Sequence, residues 1–435
     1  MKEFFKKLGE KIKANKKKVI VTSVISFVLI CSIIAVSLLS VFLFNRFSYG
    51  YTPTEEQLAA INDNVENQYK RVVIIGVDGV GDYFSHMDTP NFDKLFNIET
   101  NAAVTYTGVA VYPTISCENW MSMFHGVRPV YHGFIYKDTN QRVEAGEKTD
   151  SEKYPSFMKL FIDQKGGNIL SSCTWRGVNN GVIEDDPHIT KYNTDLDQVN
   201  QFLNGETIYS PVTDKTCQQN YLKDENDNLV LKKNAANSKA EEINAYVEAP
   251  VYDNVAGISP LRDYLLSMKV AFGDTDETVA MRDAMTMQRI IEGTVTPEGQ
   301  EKYQIAYMHL DQVDHAGHNY GYGSPGYQQA VYRIDELIGR LYDAYETAGM
   351  LDDTLFILCT DHGHRLEGGH KNHGKNTDLE VNVTFAISGK TVKKGMLAGK
   401  FVETDIPSIV SYALGVKGAD TWQGHVPYGM FTALG

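Results

Sequence analysis

Cysteine is scarce and scattered in this chain of 435 residues. Its five cysteines, Cys31, Cys117, Cys173, Cys217 and Cys359, form no C-x-x-C pair and no framework spacing. That argues against structural zinc held by thiolates and leaves no disulfide pattern to read. Positive charge is also short beyond the amino terminus. The net charge is −14, yet residues 1–18 carry eight lysines against two glutamates, so the rest of the chain stands at −20. An acidic body of this kind does not suit a nucleic-acid groove, and no nucleic-acid partner is expected. Low-complexity tracts are absent, and 43% hydrophobic content at this length is enough for one large α/β core or two smaller ones. The G-x-G-x-x-G order of a dinucleotide site is missing as well. GVDGVG at 76–81 comes nearest, but it carries Asp78 at the turn, where a carboxylate repels a pyrophosphate unless a cation intervenes.

What is present begins with a membrane signal. Residues Val19 to Phe44 contain no charge, and 26 residues of helix are long enough to cross a bilayer core of roughly 30 Å. The run exceeds the core of a cleavable signal and no A-x-A site follows it, so a retained anchor is expected. Seven lysines between Lys6 and Lys18 precede it and only Arg46 follows closely. The positive-inside rule then places a basic tail (1–18) in the cytoplasm, the anchor at 19–44, a polar stalk at 45–69 and the body (70–435) outside the cell membrane.

Seven of the twelve histidines fall between His309 and His373, in DQVDHAGHNYG, TDHGHRLEGGH and NHGKNTDLE. Asp and His side by side after apolar runs are the ligands a divalent metal requires. Val72–Val77, YQIAYMHL (303–310) and TLFILCT (354–360) read as buried parallel strands, each ending at an acidic residue, and VTFAIS (383–388) reads as a fourth strand. In the stretch 326–348, Val331, Ile334, Ile338, Leu341 and Tyr345 recur at helical spacing, and DIPSIVSYALGV (405–416) reads as a closing helix. Strand, helix and strand with ligands at the strand ends predict an α/β fold around a mainly parallel sheet. The D-x-x-x-H spacing puts Asp314 and His318 on one side of a helical turn.

In order along the chain come Asp78 after a strand, YPTISCENW (112–120) with HGVRPVYHG (125–133), D-x-x-x-H at 314–318, Asp361-His362-Gly363, and His373-Gly374. Together these resemble the alkaline phosphatase superfamily, and within it the type I phosphodiesterase and nucleotide pyrophosphatase family. The resemblance covers about residues 70–183 and 270–430. It implies a three-layer α/β/α sandwich and two divalent ions, zinc with manganese as the alternative. One ion would be held by Asp314, His318 and His373, the other by Asp78, Asp361 and His362 together with the nucleophile oxygen. The family pattern Pro-Thr-x-Thr places the nucleophile at Ser116, with Thr114 as the fallback. Backbone amides from Cys117 onward would cradle phosphate at a helix start. Of the family's Phe-Pro-Asn-His after the nucleophile, only Asn119 survives. The family's phosphate-contacting Asn falls near Lys137, with Asn140 close by. Cys117, Asn119 and Lys137 are therefore the candidate substrate contacts.

The implied activity is hydrolysis of phosphodiester or nucleotide pyrophosphate bonds in a small phosphate ester, through a phosphoryl-enzyme intermediate on Ser116. Such chemistry needs a nucleophile, a means to deprotonate it and charge on the equatorial oxygens. A phosphomonoesterase or phosphonate hydrolase and a transferase of phosphoalcohol groups share the same residues. A sulfatase is disfavoured, because C-x-P-x-R is missing around Cys117. An anchored metal-containing binding protein is the alternative that is not an enzyme.

Blander roles compete at several positions. Asp78 alone could cap a helix. His309, His315 and His364 read as supporting or surface residues, His370 rivals His373, and Asp311 rivals Asp314. His125 and His132 support the turn after the nucleophile helix. Trp175, Tyr320 and Tyr322 either stack on substrate or pack. Residues 184–268, polar and weak in apolar periodicity, read as an insertion.

Overall fold

The computed structural model describes residues 69–432 apart from 136–137, 212–220, 224–228, 232–245, 273–276, 366–371 and 398–399, with a few positions in residues 1–49. The chain divides into a short unit, residues 1–49, and a body, residues 50–435. The expected tail, anchor and stalk lie almost wholly outside the described residues, as do Lys137 and His370. Among the described residues no helix is long and apolar enough to cross a membrane.

The body is built on one sheet of eight strands. In chain order they are β1 (Arg71–Val77), β2 (Ala102–Val109), β3 (Asn168–Cys173), β4 (Ile189–Asn193), β5 (Tyr303–Leu310), β6 (Thr354–Thr360), β7 (Asn382–Ser388) and β8 (Gly395–Met396). Their order across the sheet is β8-β2-β7-β6-β1-β5-β3-β4. All neighbours are parallel except β7, which runs antiparallel to both β6 and β2.

Both faces of the sheet are covered, which the strand sequences require. Along β1, Val73, Ile75 and Val77 enter one apolar cluster while Val72 and Ile74 enter the other. This is the period-two alternation of a strand buried on both sides, and it explains why the run is continuously apolar. The first cluster takes in α1 (Pro90–Leu95), α4 (Leu196–Asn204), α5 (Glu277–Val295) and α7 (Pro325–Thr347). The second takes in α2 (Ser116–His125), α3 (Phe157–Lys165) and α8 (Ile406–Leu414). Helix α7 shows the local logic. Ser324 caps it by accepting from Tyr327 N, Pro325 opens it, and Val331, Ile334, Ile338, Leu341 and Tyr345 are all buried.

The stretch expected as an insertion starts as part of the core. Ile189–Asn193 is the sheet's edge strand beside β3, and only its two end residues are fully buried, so it offers no apolar run to read. Asp195 then caps α4 by accepting from Gln198 N at 2.9 Å, and Val199 and Phe202 pack into the core. Beyond it lie two small antiparallel pairs, Tyr209–Pro211 with Tyr246–Glu248 and Tyr221–Lys223 with Leu229–Leu231.

The central parallel strands set where chemistry occurs. Val77 pairs with Thr360 on one side and with Leu310 on the other, so β1, β5 and β6 end level. Asp78, Asp311 and Asp361 therefore leave the sheet together at its carboxyl edge, where open α/β sheets bind ligands.

Asp405, at the start of α8, carries the clearest pH signature of the scaffold. It is buried, accepts from the backbone N–H of Val402 and of His425 at 2.9 Å each, and burial pushes its carboxyl up to about 7. Because the folded value lies above the unfolded one of about 3.9, this group's contribution is complete below about pH 4 and fades as pH rises to 7. The urea-unfolding free energy of Asp405→Asn is expected to fall less steeply than the parent's between pH 4.5 and 7. Equal slopes would remove Asp405 from the account.

Candidate active site and metal centre

Asp78 follows β1 directly and is 1% exposed. Its main-chain N–H donates to Leu310 O at 2.9 Å, tying the turn to β5. Its Oδ2 accepts from Trp120 Nε1 at 3.0 Å and meets His309 Nε2 at 3.0 Å. Oδ1 faces Ser116 Oγ at 3.4 Å and His362 Nε2 at 3.5 Å. Burial and Asp314 work to raise the Asp78 carboxyl, but His309 and His362 take it below its ordinary value. The residue after it, Gly79, has φ +71°, and a Cβ there would stand 2.6 Å from Asp314 Cα. Only glycine lets the β1 turn approach α6 (Gln312–Tyr320) this closely.

Asp361 and His362 follow β6. Asp361 Oδ1 accepts from Gly79 N at 3.0 Å and from His362 N at 2.9 Å. Its Oδ2 finds no hydrogen-bond partner among the described residues, though it is buried and 3.3 Å from His362 Nε2. Burial, and then the charge of Asp78, push this carboxyl well above its ordinary value. His362 Nδ1 lies 3.2 Å from Gly363 O, a contact it makes as donor, leaving Nε2 with its lone pair toward Asp78 and Asp361. Burial, and then His373, push this imidazole down to about 3, so it is neutral at ordinary pH.

Asp314 and His318 sit one turn apart on α6, with His318 Nε2 3.2 Å from Asp314 Oδ2. That helix has no cap of its own. Asp283 on α5 supplies one, accepting from Asp311 N at 3.0 Å and Gln312 N at 2.9 Å. His373 completes the group, its Nε2 3.5 Å from Asp314 Oδ1 and 3.3 Å from His318 Nε2. The His373 ring also stacks on His362 at 3.7 Å, so the two groups share a wall. Burial penalises the Asp314 carboxylate, yet His318 and His364 hold it well below its ordinary value.

The structure thus gathers the expected residues into two sets, Asp78 with Asp361 and His362, and Asp314 with His318 and His373, each with ligand atoms within 4.8 Å of one another. Divalent ions fit these sets. Three carboxylates lie together, Asp78 and Asp361 buried and Asp314 part-buried, and the buried oxygens Asp361 Oδ2 and Asp314 Oδ1 lack a hydrogen-bond partner among the described residues. A buried carboxylate oxygen without a donor is costly unless a cation meets it.

Ser116, first residue of α2, presents Oγ 3.2 Å from His362 Nε2 and 3.4 Å from Asp78 Oδ1. Thr114 is committed elsewhere. Its Oγ1 donates to Lys375 O at 2.7 Å and accepts from Gly374 N at 3.1 Å, while its carbonyl oxygen takes the His373 Nδ1–H at 2.7 Å. This removes it as a fallback nucleophile and makes it the clamp that orients His373.

The expected substrate contacts fare differently. Asn119 is fully buried and donates Nδ2 to Asp361 O at 2.6 Å, so it positions a strand end and does not face substrate. Cys117 has a buried side chain, and its N–H donates to Asn140 Oδ1 at 3.1 Å. The Asn140 side chain thereby reaches the first turn of α2, and Lys137 lies outside the described residues. Tyr322 packs, with its hydroxyl on Asp82 at 2.7 Å. Trp175 lies 5.9 Å from the His309 ring and donates Nε1 to Glu144 at 2.6 Å.

Supporting residues complete the site. Trp120 and His309 pin Asp78, Asp283 caps α6, and Glu380 accepts from Lys375 N at 3.0 Å and Thr377 Oγ1 at 2.7 Å to brace the loop after His373. His309 had a signal in its place at the end of an apolar strand beside the acidic segment, Trp120 and Glu380 close the segments YPTISCENW and NHGKNTDLE, and Asp283 had none.

The clamp gives a direct test. Thr114→Val removes the hydroxyl that secures the His373 loop, and loss of such an outer partner weakens metal binding by about 10–100-fold. Competition against a chromophoric chelator should show that loss for one divalent ion in Thr114→Val and near-parent affinity in Thr114→Ser. Unchanged affinity in the valine variant would contradict the clamp.

Curated relatives that match part of the chain include GPI ethanolamine phosphate transferase 2 of Aspergillus oryzae, 35% identical over 71 residues, and GPI ethanolamine phosphate transferase 1 of Saccharomyces cerevisiae, 27% identical over 161 residues. The matches cover 16% and 33% of this chain but only 8% and 18% of those relatives, so the chain spans a small part of their length. Among solved structures, wild-type alkaline phosphatase PafA superposes with a TM-score of 0.51 at 13% identity, over 81% of this chain and 97% of that one, a likeness of fold. The model of the family described as type I phosphodiesterase / nucleotide pyrophosphatase matches residues 72–382, which include Asp78, Ser116 and every candidate ligand named above. With more than half of its length in that match, the chain belongs to the type I phosphodiesterase / nucleotide pyrophosphatase family.

Proposed function

We propose that this protein is a membrane-anchored, two-metal phosphohydrolase that cleaves phosphodiester or nucleotide pyrophosphate bonds in small phosphate esters, with Ser116 as nucleophile. The observation that carries this reading is the place of Ser116 Oγ, 3.2 Å from His362 Nε2 and 3.4 Å from Asp78 Oδ1, beside a carboxylate oxygen of Asp361 that lacks a donor. Asp78, Asp361 and His362 would hold one ion and Asp314, His318 and His373 the other. Mixed imidazole and carboxylate donors suit zinc, with manganese second. When bound, two such ions lower the pKa of an attacking hydroxyl and neutralise the oxygens of the transferring group.

The chain's own part is to aim and to donate. Ser116 Oγ donates toward Asp78 Oδ1 at 3.4 Å. In the first step the Oγ–phosphorus bond forms and the bond from phosphorus to the leaving oxygen breaks. In the second, water takes the group from Ser116 and restores the hydroxyl. Asn140 takes the Cys117 N–H at the start of α2 through its Oδ1, and its Nδ2 would be the neutral donor offered to a phosphoryl oxygen. Trp120, His309 and Asn119 hold Asp78 and Asp361 still while charge moves. The uncharged run 19–44 and the lysines before it support an anchor with the body outside the cytoplasm.

A second reading is supported by the relatives named as ethanolamine phosphate transferases. In it an alcohol acceptor replaces water in the second step, and the residues around Ser116 are unchanged.

Detergent-solubilised full-length protein is expected to hydrolyse bis-p-nitrophenyl phosphate faster than p-nitrophenyl phosphate, to lose activity in chelator and to regain it with zinc. Equal or reversed rates would remove the diester preference. Ser116→Ala should lower kcat by about 10³-fold or more while retaining metal. A zinc-loaded protein inert toward water but active with an added alcohol would establish transfer in place of hydrolysis.

A further inference from the structure

Thr174 lies in none of the ordered motifs, yet both ligand sets are tied to the scaffold through it. It directly follows β3 and is buried. Its main-chain N–H donates to His309 O at 3.0 Å, which joins the end of β3 to the end of β5. His309 is the residue whose imidazole meets Asp78 Oδ2 at 3.0 Å, so the Thr174 backbone supports the first set.

The Thr174 side chain leads to the second set. Its hydroxyl bonds to Asp283 on α5 and lies 3.1 Å from Thr286 Oγ1, three residues further along that helix. Asp283 is fully buried and commits both carboxylate oxygens to the start of α6, Oδ1 to Asp311 N at 3.0 Å and Oδ2 to Gln312 N at 2.9 Å. Burial pushes this carboxyl up, and the bond from Thr174 is the largest influence that draws it back down. Helix α6 has no side-chain cap of its own, so the placing of its first turn, and with it of Asp314 and His318, depends on this carboxylate. Valine is β-branched like threonine and would fill the same place, so packing alone does not call for the hydroxyl.

We infer that Thr174 is a positioning residue for the two-metal centre. Through its N–H and His309 it steadies Asp78, and through its hydroxyl and Asp283 it steadies Asp314 and His318, so it sets the spacing between the two sets. The inference rests on the two-metal reading above and deepens it. Two-metal phosphoryl transfer is sensitive to that spacing, since a misplacement of about 1 Å costs about 100-fold in rate.

The test uses full-length protein in detergent, loaded with manganese, as parent, Thr174→Val, Thr174→Ser and Asp283→Asn. Electron paramagnetic resonance reads the magnetic coupling of a manganese pair, which changes steeply with separation, and kcat and KM are measured on bis-p-nitrophenyl phosphate. Thr174→Val keeps the main-chain bond and the bulk but loses the hydroxyl. It should shift the coupling and lower kcat about 10-fold with KM nearly unchanged. Thr174→Ser restores the hydroxyl and should match the parent in both readouts. Asp283→Asn leaves one oxygen for two N–H groups and should shift the coupling further. If Thr174→Val fails to fold, a parent-like serine variant with a shifted asparagine variant supports the inference, and an unshifted asparagine variant overturns it. A valine variant with a lower melting temperature but parental coupling and kcat would make the hydroxyl a matter of stability alone. That result, or a serine variant no better than valine, would overturn the inference and leave the two-metal reading intact. A parent that retains fewer than two ions, whether zinc or manganese, would overturn both.

Discussion

Three carboxylates, the buried Asp78 and Asp361 and the part-buried Asp314, meet at the carboxyl edge of the sheet, and their mutual repulsion is the constraint from which the rest of the site follows. Charges of one sign in a low-dielectric interior are not tolerated without compensation. Part of that compensation is visible. Asp78 takes donors from Trp120 and His309, Asp361 takes the N–H groups of Gly79 and His362, and Asp314 faces three histidines. What remains is a pair of carboxylate oxygens without donors among the described residues. The sheet forces this concentration, because β1, β5 and β6 are parallel neighbours that end level: β1 and β6 release Asp78 and Asp361 there, and α6, which follows β5 after Asp311, brings Asp314.

The architecture was legible because its signals are local and repeated. Continuous apolar runs marked β1, β5 and β6, and helical spacing marked α7, since each such element buries its own face. The antiparallel run of β7 and the edge strand β4 were not legible. Direction depends on partners far along the chain, and an edge strand exposes its middle residues. The anchor reading comes from residues 19–44, which lie outside the described structure.

The site divides along the same line. Aspartates and histidines at strand ends could be named because their chemistry and order are distinctive. Residues that act through a neighbour could not. Thr114 looks like a nucleophile in the sequence and is a clamp in space, since its oxygens are taken by Lys375, Gly374 and His373, some 260 positions away. Asn119 fits a substrate contact by motif and holds the Asp361 backbone instead. Asp283 is one acid among many on a helix until its two bonds to the start of α6 are seen. These second-layer contacts fix ligand direction, and direction separates a metal centre from a cluster of polar side chains.

The central claim is that the two sets bind two ions with Ser116 against one of them. Anomalous diffraction at the zinc edge from crystals of the metal-loaded protein measures this directly. The account predicts two peaks about 4 Å apart, one touching Asp78, Asp361, His362 and Ser116 Oγ, the other touching Asp314, His318 and His373. A single peak, or a peak pair that leaves Ser116 out of contact with either ion, would contradict it.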